Sequence, residues 1–307
     1  MINEQEQKTR CPHCKSEEVV KRGTFETEAQ GKQQRFFCKK CSKKFIVRNA
    51  FYRMRNTPQK ITLCLDLFYK GVSTRKIQQH LQAFYPHNSS WVSIYSWVVK
   101  YAKQISQFTD NLKLKVGSEV QVDEVEYHRR KSHKRKLGTE ENWFIDSVDT
   151  QTRFMVASNY CKARNQKEIR KVMQNIKDKS DNKFKVITTD ALTQYERVVK
   201  KVFGYYNLKK GLIVYNKVNA SKGEGFNHPI ERVHNGLRQR TKIFRGFHGS
   251  VESARAILKG FEIFYNFINL HQGIKCCPYE LAIPELKSQL NVPNKWLSLI
   301  EMSNQNL

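Results

Sequence analysis

Three acidic residues stand where they could do chemistry on a phosphate: Asp123, Asp190 and Glu231. Asp123 ends the alternating run Glu119-Val-Gln-Val-Asp123, in which Val120 and Val122 share one face of a strand and Asp123 points from the other. Asp190 ends Lys185-Val-Ile-Thr-Thr-Asp190, a buried-type strand followed at once by Ala191-Leu-Thr-Gln-Tyr195, the start of a helix. Strand ends of this kind carry functional groups in α/β sheets, although an Asp there also serves as a helix N-cap. Glu231 lies in Asn227-His-Pro-Ile-Glu-Arg-Val-His-Asn-Gly-Leu-Arg238, where Asn227 is a candidate N-cap and Pro229 fits a first turn. Ile230, Val233 and Leu237 make the buried stripe, with Glu231, His234, Asn235 and Arg238 on the face beside it. Alone, Glu231 would be an ordinary surface residue. Together the three meet a specific requirement: two divalent ions, roughly 3.5 to 4 Å apart, need oxygen ligands that leave positions for water and phosphate. One ion would activate a water or 3′-hydroxyl and the other would stabilise the leaving oxygen of an in-line displacement. Asp123 is expected to bridge, with Asp190 and Glu231 each holding one ion. Of the neighbouring acids Glu119, Glu124, Glu126, Asp146 and Asp149, the best rival is Asp146.

A second set of ligands is soft. Cys11-Pro-His-Cys14 and Cys38-Lys-Lys-Cys41 are separated by 23 residues, which is zinc-ribbon spacing. Val19 to Phe25 and Gln34 to Phe37 read as the strands of a hairpin joining the two knuckles. Four thiolates close a tetrahedral shell and leave no place for water, so one structural Zn²⁺ is expected. A redox role is disfavoured because no βα context follows either pair. Cys64, Cys161, Cys276 and Cys277 show no framework spacing. Lys39, Lys40, Lys43, Lys44, Arg48, Arg53 and Arg55 offer phosphate contacts beside the ribbon.

These residues need elements to hold them. Pro58 to about Ile105 has helical periodicity; Gly71-Val72-Ser73 breaks the run, and Ser73 can cap a second helix containing Ile77 and Leu81. Helix, glycine-containing turn and helix suggest a helix-turn-helix. Beyond Gly117 come the strand ending at Asp123, two strands (Trp143 to Val148, Arg153 to Ala157) around the turn Asp149 to Thr152, a helix from about Gln166 to Lys177, and the strand ending at Asp190. Three meandering strands, a helix and a returning strand begin a ribonuclease-H-like mixed sheet, so the fold class is α/β. Arg129-Arg130-Lys131-Ser-His-Lys134-Arg135-Lys136 reads as a basic loop clamping phosphates near the carboxylates. Trp143 reads as core, Ser250 to His271 as one long amphipathic helix covering the sheet, and His271 as its cap or a phosphate ligand. The net charge of +27 implies a polyanionic partner, and nucleic acid fits best because Lys and Arg run along the whole chain. No stretch of 18 apolar residues and no signal-peptide core occurs, so a soluble, intracellular, membrane-free protein is expected.

At Val122-Asp-Glu124, Trp143 with Asp149-Thr-Gln-Thr-Arg153, Thr188-Thr-Asp-Ala191, Asn227 to Arg238, Gly246-Phe247, Tyr265-Asn-Phe267 and Cys277-Pro-Tyr-Glu280, the chain resembles prokaryotic insertion-sequence transposases with a DDE catalytic domain. The resemblance runs from about Gln121 to Ala282. It implies Mg²⁺, with Mn²⁺ substituting, and double-stranded DNA partners, both terminal inverted repeats and target. It also implies strand transfer within a homodimer or larger synaptic oligomer, a cytoplasmic, nucleoid-associated location, and a DNA contact from Arg238, seven residues after Glu231. The 40 residues between Asp190 and Glu231 exceed the spacing of the compact groups, which leaves Glu224 as the fallback acid. The expected organisation is a zinc ribbon over 1–56, a helix-turn-helix module over 57–110, the ribonuclease-H-like catalytic domain over 117–285 and a tail over 286–307. Two other readings compete: a binding-only regulator or domesticated relative without chemistry, and a structure-specific nuclease on the same fold.

Overall fold

The computed structural model describes residues 9–85, 89–127, 129–133, 136–181, 183–218, 228–242, 247 and 249–305, with backbone alone over 129–133 and 136–139. The chain divides into two compact units, one ending at Leu63 and the other beginning at Cys64.

In the first unit β1 (Val19–Thr27), β2 (Gly31–Cys38) and β3 (Lys44–Ile46) form an antiparallel sheet in that order. The two Cys-x-x-Cys turns have the same backbone construction. Each first cysteine donates its N–H five residues ahead, Cys11 to Ser16 O (2.9 Å) and Cys38 to Lys43 O (3.0 Å). The residue after each second cysteine, Lys15 (φ 61°) and Ser42 (φ 54°), is left-handed, which turns the chain back under the thiols.

Helix α1 (Pro58–Tyr69) runs across the division between the units. Ser73 caps α2 (Thr74–Phe84), as its position predicts, and Ser90 caps α3 (Trp91–Thr109) by accepting from Ser93 N at 3.2 Å.

The second unit is built on the five-stranded sheet of β4 (Glu119–Glu126), β7 (Trp143–Asp149), β8 (Met155–Cys161), β9 (Val186–Asp190) and β10 (Val214–Val218), with a separate hairpin of β5 (Arg129–His133) and β6 (Lys136–Glu140). The strand order is β10-β9-β4-β7-β8. β4, β7 and β8 meander antiparallel, while β9 and β10 return parallel to β4, which is the ribonuclease-H-like arrangement. Alternation along the strands assigns the helices to faces. Asn159 of β8 donates to Glu168 of α4 (Gln166–Ser180) at 2.7 Å, whereas its neighbour Ser158 bonds Glu262 of α8 (Val251–Ile263). So α4 and α5 (Thr193–Phe203) lie on one face, with α7 (His228–Thr241) and α8 on the other.

The segment from Arg129 to Lys136, expected as a loop, is a two-stranded hairpin with Arg129 opposite Glu140 and His133 opposite Lys136. Its charged composition hid the backbone pairing. Lys134 and Arg135 lie outside the described residues, as do Asn227, Glu224 and Gly246. The helix expected from Ser250 to His271 ends earlier, passing from α8 into a π-helical turn over Phe264–Ile268. His271 neither caps it nor faces open solvent with both nitrogens: its Nδ1 accepts from Gly273 N at 3.2 Å, closing a tight turn.

Residues 57–110, expected as a module of their own, join the second unit from Cys64 onward, because α3 packs along α8. The stretch expected as a tail contains α10 (Lys295–Gln305). Buried Trp296, Leu299 and Ile300 set that helix against α3, where Gln104 Nε2 donates to Ile300 O at 3.2 Å. Two short helices, α6 (Tyr205–Lys209) and α9 (Tyr279–Ala282), complete the unit.

Candidate active site

The sheet brings two of the three predicted carboxylates together by register. Val122 of β4 pairs with Thr189 of β9 in parallel, so the next residue on each strand, Asp123 within β4 and Asp190 at the end of β9, lies side by side. Oxygens of Asp123, Glu124 and Asp190 all lie within 4.8 Å of one another, and all three residues are half-buried. An all-oxygen set suits a hard divalent ion such as Mg²⁺ or Mn²⁺.

The members of this cluster differ in how they are held. Asp123 Oδ1 accepts from Glu124 N at 2.8 Å. Asp190 Oδ1 accepts from Leu192 N at 3.0 Å, so it stiffens the turn into α5 without capping that helix, whose N-cap is Leu192. Glu124 alternates to the other face, where it takes Arg164 Nη1 at 2.8 Å and the Tyr195 hydroxyl at 2.5 Å. These partners tie Glu124 to α5 and to the segment before α4.

Glu231 is not part of the cluster. It is exposed on the first turn of α7, one turn before His234. The helix itself is anchored at the site. His234 Nε2 lies 2.6 Å from Asp146 Oδ1, and Nδ1 lies 3.6 Å from Asp123 Oδ2. Asp146, the rival acid, sits directly opposite Asp123 across the β4–β7 pair and is wholly buried. Sequence reasoning placed His234 beside Glu231 without giving it a role. The signal available was its position three residues after Glu231, facing a strand aspartate.

Burial pushes the Asp123 carboxyl up to about 7; His234 opposes this, and Glu124 and Asp146 add to it. Burial also raises Asp146, with His234 again opposing. In His234 burial favours the neutral ring, but the carboxylates of Asp146 and Asp123 outweigh it and hold the imidazole above its ordinary value. Asp123, Asp146 and His234 therefore hold protons more tightly than the same groups in water.

Arg238 is exposed one turn after His234, its guanidinium reaching Asn235 Oδ1 at 3.4 Å. Of the basic hairpin residues, Arg129, Arg130, Lys131 and Lys136 lie on its strands, which follow directly from β4. Trp143 is half-buried, with Arg164 stacked 4.2 Å from its ring centre.

Residues 136–271 match a family model of insertion-sequence transposases described as a DDE domain. This part of the chain is a DDE transposase domain. The matched range contains Asp146, Asp190, Glu231, His234 and Arg238, and it begins after Asp123. No curated protein matches the chain. A DDE domain belongs to metal-dependent nucleic-acid-processing enzymes. None of the described helices is long and apolar enough to cross a membrane.

In the first unit the Sγ atoms of Cys11, Cys14, Cys38 and Cys41 lie within 4.8 Å of one another, with Cys11 to Cys41 at 3.6 Å and Cys14 to Cys38 at 3.5 Å. A tetrahedral zinc shell with bonds of about 2.3 Å has sulfur edges of roughly 3.8 Å, so the thiols fit this ion. Beside them Arg10, Arg35, Lys44 and Arg48 share a cleft of about 800 Å³ with Phe25, Phe45 and Tyr52. Cations interleaved with aromatic faces suit a nucleic-acid strand.

Proposed function

We propose that this protein is a transposase that binds the terminal inverted repeats of an insertion sequence and catalyses DNA cleavage and strand transfer. The observation that carries the proposal is the convergence of Asp123, which lies before the matched DDE range, and Asp190, which lies within it, from adjacent parallel strands. Asp123, Asp190 and Glu231 are the residues that would hold two divalent ions, Mg²⁺ or Mn²⁺. Such ions, when bound, activate a hydroxyl nucleophile and neutralise charge on the leaving oxygen.

The chain's own residues do the rest. Asp123, beside Asp190 on one side and His234 on the other, would be a ligand shared by the two ions. Glu231 approaches from α7, on the same helix face as His234. Arg238, two turns along that helix, would take a phosphate of the bound strand, and Arg129, Arg130, Lys131, Lys134, Arg135 and Lys136 would grip the duplex beyond it. Cys11, Cys14, Cys38 and Cys41 would hold one structural Zn²⁺, making residues 1–56 a ribbon. Residues 57–110 would supply the helix-turn-helix, 117–285 the catalytic domain, and 286–307 the segment that closes on α3. The working form would be a homodimer or larger synaptic complex acting on DNA in a prokaryotic cytoplasm.

The test is cleavage and strand transfer on duplexes carrying the element's ends, with Mg²⁺ or Mn²⁺. Asp123→Asn, Asp190→Asn and Glu231→Gln should each lower the rate by about a hundredfold to a thousandfold while end binding persists, since removing a group that stabilises transition-state charge costs about 3 to 4 kcal/mol. An Asp123→Asn protein that still joins strands would refute the assignment. Tight binding to the ends with no metal-dependent cleavage by the unmodified protein would make it a regulator.

A further inference from the structure

We propose that Asp146 and His234 form a buried latch that sets the register of α7, the helix that carries Glu231, on the strands that carry Asp123 and Asp146. The inference rests on the functional reading above and gives His234 and Asp146 the part of positioning residues.

The first observation is that Asp146 has no stabilising reason to be where it is. It occupies the middle of β7, fully buried, in a position that an apolar side chain would fill at no electrostatic cost. A carboxylate moved there loses its hydration, which costs several kcal/mol unless a partner restores it. Its one hydrogen-bonding partner among the described side chains is His234, and its second oxygen, Oδ2, is buried with no hydrogen bond. Buried Glu262 lies close enough to add repulsion.

The second observation is directional. Asp123, Asp146 and Ser158 are register partners on β4, β7 and β8, so they form a polar row across one face of the sheet. α7 crosses this row. Its apolar contacts, through Ile230, Val233 and Leu237, fix which side of the helix faces inward but say little about its position along its own axis. His234 supplies that information. Its ring stands between Asp146 (2.6 Å) and Asp123 (3.6 Å), and a shift of one residue along α7 would break both approaches. Further along, the Thr241 hydroxyl donates to Tyr127 Oη at 3.2 Å, a tie at the far end of the helix. The proposed metal ligand Glu231 is one turn from the latch and about two turns farther from that second tie. A buried polar pair that specifies register at the expense of stability is a known use of such groups.

The latch makes a prediction that a merely structural pair does not. Asp146→Leu leaves His234 buried without its partner and so should lower the thermal midpoint, but at temperatures where the variant is folded it should leave end-binding affinity unchanged and still lower the single-turnover cleavage rate about tenfold or more, because small misplacements of a catalytic group are costly. Asp146→Asn and His234→Gln, which keep a hydrogen bond across the gap, should recover most of the rate. If Asp146→Leu fails to fold, the two conservative variants still decide the matter: recovery of rate supports the latch, and rate loss in proportion to lost stability overturns it. Cleavage at the unmodified rate by Asp146→Leu, beside an inactive Asp123→Asn, would overturn the latch alone. An active Asp123→Asn would instead remove the functional reading on which the latch rests.

Discussion

Asp123 carries opposing demands. Its carboxyl is raised to about 7 by burial and by the acids around it, so the folded, metal-free protein binds this proton more tightly than the unfolded chain does. His234 is shifted upward as well. For a group whose folded pKa is raised, stability is present at low pH and is lost as pH rises through the folded value, and here both groups act in the same direction. The metal-free protein should therefore lose stability from about pH 4 to pH 7 through Asp123, with a further loss above pH 6.5 through His234, apart from titrations elsewhere, and Mg²⁺ or Mn²⁺ should restore it at pH 8. Asp123→Asn should flatten this dependence, raise the metal-free midpoint at pH 8 by about 2 to 4 °C per kcal/mol relieved, and abolish the response to metal. Thermal melts at the two pH values, with and without Mn²⁺, measure all three effects. Unchanged metal response in Asp123→Asn would show that the ion binds elsewhere.

At the scale of elements, much of the site was legible because strands announce themselves by alternation. Val120 and Val122 placed Asp123 on the working face, and the apolar run before Asp190 placed it at a strand end. Sequence could not show that the two strands are neighbours, since β9 pairs with β4 only after the chain has passed through β7, β8 and α4. The His234–Asp146 contact was hidden for the same reason: it spans 88 residues. The π-helical turn was also unreadable, yet it does a particular job. β8 is an edge strand, and Asn266 in that turn accepts from Met155 N at 2.8 Å and donates to Met155 O at 3.0 Å, satisfying backbone groups that the sheet leaves unpaired. Asn266→Ala would strand both buried groups and should cost about 2 to 4 kcal/mol in denaturant unfolding. A loss below about 0.5 kcal/mol would mean that water or another side chain takes over these bonds.

For the whole molecule, the charge of +27 and the DDE domain point to DNA, and the two units suggest a division of labour within it. The four thiols sit in a unit with few large buried side chains, so zinc binding, of order 10 kcal/mol, would supply most of its folding free energy. Chelation should make residues 9–63 sensitive to protease while the second unit, with its own apolar core, stays resistant; equal resistance of both would argue against a structural ion. The sequence reading treated the last residues as a tail because Trp296, Leu299 and Ile300 stand among polar neighbours, with no motif to show that they face α3. Whether Asp123, Asp190 and Glu231 hold the catalytic ions can be read from anomalous diffraction by crystals of the protein grown with Mn²⁺ and an end duplex. Manganese peaks should be ligated by Asp123 and Asp190, with the Glu231 carboxylate swung in from α7 as a further ligand. Peaks ligated by Glu124 in place of Glu231, or manganese bound away from this strand edge, would contradict that assignment.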